Sequence, residues 1–189
     1  MRQRIARGLS LVGHPLVALP AAIALSAHLH GGAGLWPVLG ALALLGALMS
    51  AFSAYQVTAG RWRDSDASQP GERRSLHRFL LAILGIACAL AFGLTGPSDL
   101  SLGLAVSAAI IALASLLSSW LKLSHHTAFA ALGTALLWET RPWFIGGLLF
   151  VGLVAWSRLV LQRHKLIDVV AGAGAGLMAG AALWAARAA

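Results

Sequence analysis

Charge is scarce in this chain and acid is scarcer still: its 189 residues include 14 Lys and Arg but only 6 Asp and Glu, so charged residues make up 11% of the sequence. With 59% hydrophobic residues and a mean hydropathy of +0.80, it cannot be an ordinary soluble domain, in which about a quarter of residues are charged. No polar stretch is long enough to fold as a separate soluble domain. One cysteine, Cys88, lies inside an apolar segment, which excludes a disulfide-stapled fold and points to a buried structural thiol.

What is abundant is apolar sequence in runs of near-spanning length. A bilayer core of roughly 30 Å needs about 20 apolar residues per helix. Runs and breakers predict helices at 9–27, 35–57, 79–95, 100–121, 127–138, 142–161 and 166–187. The expected fold class is therefore all-α: a polytopic transmembrane bundle of about six to seven helices, forming one integral membrane domain over 1–189. Met1 to Arg7 resembles the charged start of a signal peptide, yet no cleavage site follows, and a retained first helix is expected. His30-Gly31-Gly32, Gly96-Pro97-Ser98-Asp99 and Arg141-Pro142 are the expected turns. The fifth run is too short for a full crossing, which draws His125 and His126 toward membrane depth.

Alternating these helices across a bilayer puts the N-terminus, loop 58–78, junction 122–126 and junction 158–165 on one face. That face carries Arg2, Arg4, Arg7, Arg61, Arg63, Arg73, Arg74, Arg78, Lys122, Arg158, Arg163 and Lys165, leaving only Arg141 and Arg187 opposite. Positive charge in short loops marks the cytoplasmic side, so a multi-pass protein of the cell membrane with this face in the cytoplasm is expected. The formal +8 charge needs no nucleic-acid partner, because anionic headgroups and phosphate substrates suit such a surface.

Ser157-Arg158 followed by His164 and Asp168 places phosphate chemistry on that face. Asp168, four residues after His164, can orient its imidazole for nucleophilic attack on phosphorus. Arg158 can grip phosphate oxygens bidentately, and Ser157 either reinforces that contact or caps the turn. Taken singly, each has a structural explanation: an interfacial Arg, a basic loop, an Asp capping a helix. A second cluster, Lys122-Leu123-Ser124-His125-His126, lies on the same face. His126 is placed to protonate a leaving alkoxide, Ser124 and the first amides of the following helix to hold phosphate oxygens, and Lys122 to add charge.

These residues resemble the motifs of the type 2 phosphatidate phosphatase superfamily, metal-independent enzymes related to bacterial acid phosphatases and vanadium haloperoxidases. Its third motif is matched by Ser157, Arg158, His164 and Asp168, which the resemblance casts as phosphate contact, phosphate clamp, nucleophile and orienting acid. The second, P-S-G-H, appears as Leu123-Ser124-His125-His126, keeping the serine and the final histidine. A lysine followed after six residues by Arg-Pro, the first motif, has no intact counterpart, and Lys122 is its surrogate. The resemblance covers roughly 100–187 and implies hydrolysis of a lipid phosphate or diphosphate through a phosphohistidine, without cofactor or metal. Polyprenyl phosphates lead the candidates, with phosphatidate and phosphatidylglycerophosphate beside them; the alternative is a non-catalytic lipid-phosphate-binding or transporter-like member.

Elsewhere, Arg61 and Arg63 are candidates for the missing phosphate-binding arginine, although their loop equally suits anionic headgroups. Asp64 and Asp66 offer a Mg²⁺ site of the kind a membrane prenyltransferase needs, but the remaining acids, Glu72, Asp99, Glu139 and Asp168, form no second acidic loop. Gly172, Gly176 and Gly180 make a small-residue stripe for close helix approach, within the bundle or in a homo-oligomer. Trp36, Trp120, Trp138, Trp143 and Trp184 are expected interfacial anchors. His14, His28, His30 and His77 receive no catalytic or metal role.

Overall fold

A computed structural model of the chain describes residues 1–30, 35–65, 67 and 69–188. The described residues are all-helical: α1 (Arg2–Val12), α2 (Pro15–His30), α3 (Leu35–Thr58), α4 (Pro70–Thr95), α5 (Asp99–Leu116), α6 (His125–Ala135), α7 (Arg141–Val160) and α8 (Leu166–Ala188), with a 3-10 turn at Leu117–Ser119. Five helices are long and apolar enough to cross a membrane, and α1 with α2 makes a sixth if that bent pair is one span, as expected of a multi-pass membrane protein. The expected turn at Gly31-Gly32 and the side chain of Asp66 lie outside the described residues.

The helix expected at 100–121 ends at Leu116 and gives way to the 3-10 turn, the one expected at 127–138 is His125–Ala135, and two further boundaries differ for clear local reasons. The run at 9–27 is not one helix; it breaks between α1 and α2 with a 58° bend. His14 caps α2 there, accepting the Leu16 N–H on Nδ1 at 3.3 Å, and Pro15 takes the first helical position, where its missing donor costs nothing. Helix α4 begins at Pro70, nine residues before the expected 79. Glu72 explains this, because its carboxylate accepts the N–H groups of Gln69 at 2.9 Å and Arg63 at 2.7 Å, capping α4 and folding the preceding loop onto it.

The chain divides into two compact units: Met1–Leu35 with Leu117–Ala189, and Trp36–Leu116. Residues 1–35 thus join the C-terminal half, whereas α5, placed in the expected 100–187 core, belongs to the other unit. In the Trp36–Leu116 unit α4 packs along α5. Phe52 of α3 stacks on Phe79 of α4 and meets the edge of Trp62, which buries that indole beneath the loop. Cys88 is half-buried rather than fully buried, its thiol 3.6 Å from the Ser101 carbonyl.

In the other unit α6 is the buried centre; every residue from Thr127 to Ala135 is buried. Three sides of it are covered by α2, α7 and α8. Pairings fix the directions. Gly133 faces Ala22, and Ser26 donates to the Leu136 carbonyl, so α2 runs parallel to α6. Gly172 lies against Ser124 and Thr127, Gly180 against Ala135, and the Trp184 indole donates to the Ala135 carbonyl, so α8 is parallel too. Thr134 meets Gly147, while Ala130 and Ala131 pack with Val151 and Val154, so α7 is antiparallel. The glycine stripe of α8 is therefore filled by α6 of the same chain. A β-carbon at Gly176 would collide with the Ala128 carbonyl, whereas one at Gly174 meets nothing within 4 Å. Gly176→Ala is accordingly expected to destabilise by about 1–3 kcal/mol and Gly174→Ala to be neutral or stabilising. Thermal unfolding in detergent checks this; equal midpoints for the two variants would contradict the packing.

Candidate functional site

The parallel arrangement has an electrostatic consequence. The N-terminal ends of α2, α6 and α8 all face one end of the unit, marked by His14, Ser124 and Lys165. Helix N-termini carry unpaired N–H groups and partial positive charge, so their convergence favours an anion. Antiparallel α7 brings its C-terminal turn to the same end, and with it Arg158.

Local backbone chemistry then delivers the other side chains. After α7 the chain reverses through Gln162, whose φ of 54° is left-handed, with Gln162 N–H bonding to Leu159 O and Arg163 N–H to Arg158 O, both at 3.0 Å. That is a Schellman-type stop with glutamine where glycine is usual. It returns the chain so that His164 lies 3.0 Å, through Nδ1, from the Lys122 carbonyl. A carbonyl can only accept, so Nδ1 carries the hydrogen and neutral His164 keeps its lone pair on Nε2.

The expected direct orientation of His164 by Asp168 is corrected here. Their closest approach, Nδ1 to Oδ2, is 3.7 Å, too long for a hydrogen bond. Asp168 instead accepts the Lys165 N–H at 2.8 Å, as an acid three residues into α8 should, and the Lys122 N–H at 3.1 Å. The Ser124 N–H bonds to the Asp168 carbonyl at 3.1 Å. Asp168 therefore fastens strand-like segment 122–124 to the start of α8 and holds the very residue whose carbonyl orients His164. The Lys122 ammonium donates to the Arg163 carbonyl at 3.0 Å, a third tie between these junctions.

Ser124, wholly buried, is the N-cap of α6, its hydroxyl oxygen 3.5 Å from the Thr127 N–H. Ser157 is also wholly buried, but its hydroxyl donates to the Val154 carbonyl at 2.7 Å. Of its two expected roles the structure shows the local one, because the hydroxyl proton is already used on its own helix. Arg158, 6% exposed, donates through Nη1 to Ser10 Oγ at 2.6 Å. Arg61 and Arg63 stand apart from this account: they are exposed residues of the Trp36–Leu116 unit, Arg61 lying over the Tyr55 ring.

His126 and His164 both lie outside the five long spans. Burial, then the charge of Arg158, hold His126 well below the usual histidine range, with His14, His125 and His164 adding repulsion. Burial, then Arg158 and Lys122, lower His164, against the opposing pulls of the Lys122 carbonyl and Asp168. Both rings are consequently neutral near pH 7. The mutual influence of these groups also shows that they form one electrostatic cluster.

Two members of that cluster are not readable from motif spacing. Ser10 reaches Arg158 across 148 residues of sequence. His14, expected to be unassigned, sets its ring edge-on to His126 with centroids 5.1 Å apart. His14-Pro15 could have been recognised as a helix start, but not its neighbour. His30 has a structural pairing at the far end of the unit, 3.3 Å from Glu139 and 2.8 Å from the Ser26 carbonyl. Among the described residues no three His, Cys, Asp or Glu side chains are grouped as metal ligands.

Comparison with known proteins gives no match: no family model, curated protein or solved structure is similar to the chain.

Proposed function

We propose that the protein is a metal-independent lipid phosphatase of the cell membrane, its site opening on the cytoplasmic face. The observation that supports it best is His164, presenting a lone pair on Nε2 where Arg158 and three helix N-termini converge. In this reading Nε2 attacks the terminal phosphorus and its bond to the leaving oxygen breaks, releasing the lipid alcohol from a monophosphate or the lipid monophosphate from a diphosphate and leaving a phosphohistidine. His126 relays the proton of the monoanionic phosphate to the departing oxygen. His126 then takes a proton from water as the water oxygen attacks phosphorus; the P–N bond breaks, and His126 passes the proton to the departing orthophosphate, which restores the neutral ring. Arg158 and the helix N-termini offset the charge of the transferring group, with Lys122 at the rim and Ser124 capping the start of α6 beneath it. The apolar helices suit a substrate whose tail enters from lipid, and the short junctions leave little protein to grip a large headgroup. Polyprenyl phosphate or diphosphate is therefore favoured over phosphatidate and phosphatidylglycerophosphate.

The test is phosphate release by detergent-purified protein in EDTA across those four substrates. Release from at least one, lost on substitution of His164, supports the reading; no release from folded wild type on any of them rejects it. A non-catalytic lipid-phosphate-binding or transporter-like role is the second reading. It draws on the internal contacts of Arg158 with Ser10 and of Lys122 with Arg163, and under it His164 substitution would leave binding intact with no hydrolysis to lose.

The neutral histidines give the enzyme an expected pH profile. Since His126 does not hold a proton near pH 7, the proton it delivers must enter with a monoanionic phosphate, whose second ionisation is near pH 6. kcat/KM should therefore fall as pH rises above that value, approaching tenfold per unit. On the acid side His164 must stay neutral. Its pKa is lowered, so activity should persist as pH drops below the ordinary histidine value of about 6.5. A kcat/KM profile that instead rises from pH 6 to 8 would contradict these protonation states.

A further inference from the structure

The junctions at 122–126 and 157–168 account for one side of the candidate site, and the bent α1–α2 pair is packed against another. Helix α1 lies along α7, and its junction with α2 is held tightly: a β-carbon on Gly13 would sit 2.5 Å from Val154. Two polar groups come inward from this segment. Ser10, 9% exposed, accepts from the Arg158 guanidinium at 2.6 Å. At the break itself, the His14 ring meets His126 edge-on.

We propose that the broken first helix is a working part of the phosphate site, with Ser10 positioning the Arg158 guanidinium and His14 positioning His126. This rests on the phosphatase reading and extends it to a segment outside every motif used for that reading.

Physical chemistry distinguishes the two contributions. Arg158 needs its planar fork set in advance to receive two phosphate oxygens, and a long side chain left unanchored loses that preorganisation. The Ser10 hydroxyl fixes one nitrogen of the fork. His14 is held by its own backbone: Nδ1 accepts the Leu16 N–H, so its neutral ring carries hydrogen on Nε2. The ring packs on His126 beside Arg158, His125 and His164, the other groups that influence it. In this setting it packs against one edge of the His126 ring and fixes where that ring stands.

Two substitutions in the full-length protein separate these roles from mere packing. Ser10→Ala should raise KM for the lipid phosphate roughly tenfold, the worth of a hydrogen bond to a charged group, with a smaller change in kcat. It should also weaken by a similar factor the binding of inorganic phosphate, read from phosphate-dependent thermal stabilisation. Ser10→Cys, nearly isosteric and a poor acceptor, should behave alike and serves if the alanine variant does not purify. His14→Asn keeps a capping oxygen for α2 but removes the ring. It should lower kcat several-fold with little change in KM, because the His126 ring loses the edge-on contact that holds it where it serves the departing oxygen. Ser26→Ala, which removes another α2 contact far from the cluster, should leave KM and kcat unchanged. Active wild type with a Ser10 variant that matches it in KM and phosphate binding and a His14 variant that matches it in kcat would overturn this inference alone. Wild type that neither releases nor binds phosphate would overturn the phosphatase reading and this inference with it.

Discussion

His164→Asn is expected to abolish phosphate release, by roughly 10⁴-fold or more, while leaving the protein folded. Asparagine is the informative replacement. Its side-chain nitrogen stands about where Nδ1 does, so it can still donate to the Lys122 carbonyl that His164 meets at 3.0 Å. The tie between the two junctions is kept, and only the nucleophilic Nε2 is lost. Alanine would confound the result, because it removes the hydrogen bond to the Lys122 carbonyl together with the nucleophile, at a cost of about 1 kcal/mol. Phosphate release and thermal unfolding, measured on the same preparation, read the two effects separately. A folded asparagine variant retaining more than a few per cent of wild-type turnover would remove His164 from the chemistry.

Arg158→Lys should lose roughly 10²–10³ in kcat/KM although it keeps the charge. The guanidinium is buried, donates to Ser10 through Nη1, and lies at the end of α7 where the helix N-termini converge. An ammonium is a point charge; it cannot bond Ser10 and two phosphate oxygens in one plane. If a single nearby charge were sufficient, the lysine variant would stay within about threefold of wild type, and that outcome would show that the fork is not what stabilises the transferring group.

How far such residues could be read from sequence alone follows from what each depends on. Composition and run length depend only on the chain, and the helices at 35–57, 142–161 and 166–187 differ by at most one residue at either end from α3, α7 and α8. The bend at Gly13-His14 was hidden because the apolar run continues through it, though Pro15 marks a helix start. The α4 boundary was missed because Glu72 is a cap whose partners, Gln69 and Arg63, lie in a polar loop that run length ignores. For the candidate site, the spacing of Arg158, His164 and Asp168 was legible, but not who holds whom. Asp168 four residues after His164 looks like a direct partner, and it lies 3.7 Å away because the backbone amides of Lys122 and Lys165 claim its oxygens. Ser10 and His14 depend on packing of α1 and α2 against helices more than a hundred residues later, for which one sequence contains no local signal. The direction of the glycine stripe likewise became readable only when α6 was seen to fill it.

The phosphohistidine itself offers the most direct test. Wild-type protein mixed in EDTA with lipid substrate labelled in the terminal phosphate, then quenched in alkaline denaturant within the first turnover, should carry label that survives alkali, is lost in acid and maps to His164. The His164→Asn protein should carry none. Turnover by wild type without such label, or equal label on the His164→Asn protein, would contradict attack by this histidine.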